Sequence, residues 1–106
     1  MILRGRVVWA VIDETVGRKP YVVVSNNARN QAMETFLAAR ITTSKKPSIP
    51  SVVTLDTGEP VRGNVLCDEV MMMWADEVVD DAGGLTPHAM SRIESGLRVA
   101  LGLKPA

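Results

Sequence analysis

Apolar residues in this chain come in short β-branched runs, and only near the C-terminus do they recur at helical spacing. Val7 to Ile12 is a continuous run of strand length, and Tyr21 to Val24 is a second. Thr35 to Ile41 predicts a third strand, although Ala38 and Ala39 are weak strand formers, and Ser51 to Leu55 alternates. Asn64 to Asp68 leads into the run Met71-Met72-Met73-Trp74, read as a core or interface strand or as an adaptable binding patch. Between these runs lie a helical turn over Ala28 to Met33, capped by Asn26 or Asn27, a polar loop from Thr42 to Pro50, and the turn Asp56-Thr57-Gly58-Glu59-Pro60. The period then changes. Thr86 suits an N-cap and Pro87 a first helical position; Met90, Ile93, Leu97, Ala100 and Leu101 share one face, Gly102 ends the helix and Pro105 prevents a restart. Many short strands followed by one helix predict a mainly β, α+β fold: a small antiparallel barrel with a C-terminal helix.

Length and composition narrow the function classes. At 106 residues the chain is expected to form one domain, 1–106, with a modest core. Aromatics are only 4%, so that core rests on Val, Leu, Ile, Met and Ala. One cysteine, Cys67, rules out an internal disulfide, and with one histidine, His88, it cannot make a Cys/His zinc site. No apolar stretch suits a signal peptide or a membrane span, so a cytoplasmic protein without membrane association is expected.

Net charge is zero, which argues against a protein that simply coats nucleic acid. The charge is unevenly spread. Residues 1–50 carry eight cations against three acids, and residues 51–106 carry four against nine. Either a basic half attracts a polyanion, or the two halves interleave in space and their fields cancel. The adjacent cations Arg18 and Lys19 sit on a glycine–proline turn, between Gly17 and Pro20, just before the second strand. Fixed positive charge on a rigid element suits an anion or phosphate site.

Five pieces of the chain, taken in order, resemble the MazF/PemK family of toxin endoribonucleases. These are Arg4-Gly5-Arg6-Val7-Val8-Trp9, Lys19 through Asn30, Ala39-Arg40-Ile41-Thr42-Thr43-Ser44, Gly63 through Glu69, and Gly84-Leu85-Thr86-Pro87 through Leu103. The resemblance implies an SH3-like barrel of the MazF/CcdB kind, a homodimer, and sequence-specific cleavage of single-stranded RNA with no metal or other cofactor. It also implies inhibition by a cognate antitoxin protein. In such chemistry the substrate's own 2′-hydroxyl is the nucleophile. The products are a 2′,3′-cyclic phosphate and a 5′-hydroxyl, and the protein supplies acid–base help and charge stabilisation.

Site residues follow from the resemblance position by position. Lys19 stands where the family keeps a catalytic arginine before the strand's proline, with Arg18 one residue earlier. Lysine lacks the arginine fork. Thr42 matches a catalytic threonine whose hydroxyl donates to a phosphoryl oxygen. Asp68 matches an aspartate proposed as acid or base; beside a cation a carboxylate suits the base's part. Thr43, Ser44, Lys45 and Lys46 would hold the RNA backbone, with Glu69 beside Asp68 as a further candidate. Met71 stands where an arginine is common. His88, in the first turn of the last helix, reads as an exposed surface residue, and Trp9, Tyr21 and Trp74 as either base-stacking or core groups. The same fold also serves gyrase-poisoning toxins and plain SH3-like interaction domains, so a binding-only protein is the alternative.

Overall fold

The computed structural model describes residues 1–105; the last residue of the expected domain, Ala106, lies outside the described residues. Six strands form one antiparallel sheet. They are β1 (Arg6–Ala10), β2 (Lys19–Val23), β3 (Thr35–Thr42), β4 (Val52–Thr54), β5 (Asn64–Trp74) and β6 (Val78–Gly84), with helix α1 (Asn27–Ala32) after β2 and helix α2 (Pro87–Leu101) at the end. Their spatial order is β4-β5-β3-β2-β1-β6. The expected mainly β fold with a C-terminal helix is therefore what forms, as a half-barrel whose end strands β4 and β6 do not pair with each other.

Alternation along the strands builds two cores on opposite sides of the sheet. Val7, Val22, Ile41, Val65 and Cys67 face α2, where they meet Ala89, Met90 and Ile93. Val8, Ala10, Tyr21, Val23, Phe36, Ala38 and Met73 face the other way. The methionine run thus splits by strand parity: Met73 is fully buried, while Met72 and Trp74 are about half exposed. Gly96 lets α2 sit close, because a Cβ there would lie 2.8 Å from Cys67 Sγ and 3.2 Å from the Pro50 carbonyl. Burial pushes the Cys67 thiol up to about 11, with Asp68 adding to the effect. This is a packed, inert thiol.

Two buried or capped polar sets fix the turns. Ser25 Oγ donates to Asn30 Oδ1 and accepts from the Leu37 N–H, while Asn30 Nδ2 donates to the Ser25 carbonyl. Asn26 caps α1 through the Arg29 N–H, as expected for that segment. At α2, Thr86 Oγ1 accepts from the Ala89 N–H and donates to Glu59 at 2.6 Å. Replacing Thr86 by alanine removes both bonds. Thermal unfolding should register a loss of about 1 kcal/mol, roughly 4–8 °C in Tm for a domain of this size; an unchanged Tm would show the cap to be idle.

Val78–Gly84 carries no strand signal in the sequence, since two acids and two glycines in seven residues obscure its pattern. Its partner explains it. Arg6 of β1 makes a two-pronged bond to Asp81, at 2.9 and 3.1 Å, which draws the carboxyl below its usual range. Along with Arg18–Asp80 and Arg40–Glu69, this joins three arginines of the basic half to acids of the other half. Because β1 to β3 lie between β5 and β6, the two halves interleave.

Candidate active site

A cleft of about 550 Å³ opens where β2 begins and β3 ends. Arg18, Lys19 and Pro20 form one wall, Arg40 through Ser44 another, and the Glu59–Arg62 loop closes it, with Trp9 at the base of the Arg18 side. Thus Arg18, Lys19, Thr42, Thr43 and Ser44 of the expected residues converge. Lys45 and Lys46 continue the loop beyond Ser44, outside the lining.

The strand register separates the two adjacent cations. Tyr21 pairs with Arg40 across β2 and β3. Two residues further on in this antiparallel pair, Lys19 comes opposite Thr42, and alternation puts Lys19, Tyr21, Arg40 and Thr42 on one face. Arg18 belongs to the other face. Its guanidinium lies over the Trp9 ring, 4.9 Å from the centroid, and reaches Asp80 at 3.4 Å. Arg18 is therefore partly satisfied by the protein itself, whereas Lys19 has no ion-pair partner among the described residues. Arg62, likewise unpaired among them, adds charge from the facing loop.

Thr42 is 92% shielded from solvent, and its Oγ1 accepts from the Ser44 N–H at 3.1 Å, which leaves its own proton to be donated. Gly63, at φ +129°, packs against the Thr42 carbonyl so closely that a Cβ would stand 2.6 Å from that oxygen. Threonine position is thus set by a backbone contact that only glycine permits.

Asp68 and Glu69 are not brought into the cleft. Ala39 pairs with Val70 but Arg40 with Leu66, so Cys67, Asp68 and Glu69 form a bulge in β5. Both carboxylates are exposed there. Glu69 reaches Arg40 in a single contact of 3.4 Å. Of the lining residues, Glu59 is the carboxylate, and both its oxygens are engaged by Thr86. His88 is exposed beside Asp56 at 3.8 Å, away from the cleft. Sequence reasoning missed Arg40 and Arg62. Arg40 carried a usable signal, since it lies one strand period before Thr42; Arg62, in a turn, carried none.

Residues 3–101 match the family described as "PemK-like, MazF-like toxin of type II toxin-antitoxin system". The chain belongs to the PemK/MazF toxin family. Curated members include Endoribonuclease MazF4 of Mycobacterium tuberculosis and Endoribonuclease MazF1 of Mycobacterium bovis. Each is 39% identical over 101 residues, covering 95% of this chain and 93% of the relative. Among solved structures, a mycobacterial endoribonuclease in complex with its cognate antitoxin superposes with a TM-score of 0.91 at 37% identity over the full length of both chains. A MazE–MazF crystal structure from Deinococcus radiodurans gives 0.82 at 26% identity, covering 97% of each chain. No helix among the described residues is long and apolar enough to cross a membrane.

Proposed function

We propose that this MazF-type toxin endoribonuclease cuts single-stranded RNA in the β2–β3 cleft, by attack of the 2′-hydroxyl on the adjacent phosphorus. What supports the reading is the β2–β3 register, which run on from Tyr21 and Arg40 sets Lys19 opposite Thr42, with both residues lining that cleft. As the O2′–P bond forms and the P–O5′ bond breaks, negative charge grows on the non-bridging oxygens. The Lys19 ammonium and the Thr42 hydroxyl are the donors positioned to meet it. Lys19 also has protons to give the departing 5′-oxygen. Charge is supplied here by lysine and arginine. Among the described residues no three His, Cys, Asp or Glu side chains converge as a metal site would need.

In this reading Arg18, stacked on Trp9, holds the chain of the RNA on the other face of the β2 strand end. Thr43, Ser44, Lys45 and Lys46 extend the track for its backbone. Asp68 and Glu69 border that track on the β5 bulge and do not touch the scissile phosphate. The 2′-proton leaves to solvent, since the one carboxylate that lines the cleft, Glu59, is held by Thr86. The same reading gives the chain a cognate antitoxin and a second copy of itself as partners, and the cytoplasm as its place of action.

The test is incubation of the purified protein with several long RNAs in the presence of a chelator. Cleavage leaving 5′-hydroxyl ends, open to direct kinase labelling, is expected. Intact RNA in every case, with growth inhibition retained in cells, would replace this reading with a toxin that acts by binding.

A further inference from the structure

We propose that Arg40 binds the RNA phosphate next to the scissile one, and that this phosphate displaces Glu69, the exposed counter-charge that Arg40 holds in its absence. This rests on the ribonuclease reading above. Arg40 is a cation in a central strand, between Ala39 and Ile41, where packing alone would be served by an apolar residue. It lines the cleft and shares a strand face with Thr42, one period away, and with Lys19 across the ladder. One period is about 6.6–6.8 Å along a strand, a step of the same order as that between successive phosphates of an extended RNA. Lys19 and Thr42 at one phosphate therefore leave Arg40 at the next.

The arginine is available for this work. Its one contact with an acid is the single 3.4 Å approach of one terminal nitrogen to Glu69 Oε1, with side chains 39% and 48% exposed. Such a pair contributes little to stability and yields readily to a competing anion. Phosphate can take both prongs of the guanidinium fork, which Glu69 does not. The β5 bulge has a use in this light. It carries three residues where the opposite strand has none, and one of them is the glutamate that reaches Arg40.

Binding should be measured with a short RNA carrying a 2′-deoxy group at the cut site, and with versions in which one phosphate at a time is a neutral methylphosphonate. Wild-type protein should lose about tenfold in affinity when the phosphate beside the scissile one is neutralised. Arg40→Gln should lose about as much on the unmodified RNA and nothing more at that phosphate, while still responding to neutralisation at the others. Its slope of log affinity against log salt should shrink by about 0.7. Arg40→Lys should recover the slope but not the full affinity, and Glu69→Gln should bind two- to threefold more tightly at low salt. Arg40→Gln that matches wild type at every methylphosphonate, or keeps the full salt slope, overturns the proposal. If wild-type protein neither binds nor cuts RNA, the ribonuclease reading itself fails, which is a separate outcome.

Discussion

Replacing Lys19 by methionine should slow RNA cleavage about 100- to 1,000-fold under single-turnover conditions, the range for losing one preorganised donor at developing charge. Methionine keeps the length and apolar stem of the side chain and removes only the ammonium. Lys19→Arg should stay within about tenfold of wild type, because arginine supplies charge to the same face with a different fork. Arg18→Met should cost less than about tenfold, since Trp9 and Asp80 already share its guanidinium. The order of these effects is the content of the prediction. Were Arg18→Met to abolish cleavage while Lys19→Met cut at nearly the wild-type rate, the strand parity that places Lys19 beside Thr42 would be the wrong guide to the phosphate. Far-ultraviolet circular dichroism of both variants checks that the fold is retained.

The second large effect concerns a residue with no chemistry of its own. Gly63→Val should lower stability by about 3 kcal/mol or more and weaken cleavage in the molecules that remain folded. Its φ of +129° costs an L-residue about 1–3 kcal/mol, and overpacking adds a similar amount. The Cβ must also push the Thr42 carbonyl away from 2.6 Å. Against a total stability of about 5–15 kcal/mol, this is a large share. Gly58 provides the control, at φ +103° with nothing within 4 Å of a new Cβ. Gly58→Val should show the backbone cost alone, with cleavage intact. Urea unfolding midpoints and single-turnover rates measure the two parts. Equal losses in both variants would mean that the contact with Thr42 does not matter.

Much of this architecture could be read from the sequence where side-chain pattern and backbone demand agree. The α2 boundaries at Thr86 and Gly102 are of this kind, as are the Asn26 cap and the start of β3; β2 begins at Lys19, before the apolar run Tyr21 to Val24 that marks it in the sequence. β6 could not be read. Its Asp80 and Asp81 are strand residues because they ladder with Trp9 and Val8 of β1, far earlier in the chain, where Arg6 also makes its two-pronged bond to Asp81. The length of β5 was hidden for a similar reason, because a bulge shifts parity between Leu66 and Val70 and makes one strand look like two unrelated runs. At the site, Lys19 and Thr42 were found through family resemblance, and only the β2–β3 register, run on from Tyr21 and Arg40, sets them opposite each other. Asp68 fitted the same pattern, yet it lies in the β5 bulge, exposed and outside the lining of the cleft. One-dimensional spacing has no means of revealing that bulge.

β6, which makes the far edge of the sheet, pairs with β1, so residues near the start of the chain wait for Val78–Gly84 before their ladder is complete. The opposing Glu59 loop is in turn pinned by Thr86 at the head of α2. Such non-local closure slows folding relative to helical domains of the same size. Lys19 and Thr42 are made early, but the loop that closes the cleft is fastened only after more than four-fifths of the polypeptide has been made. The cleft is therefore among the last features of the fold to be completed.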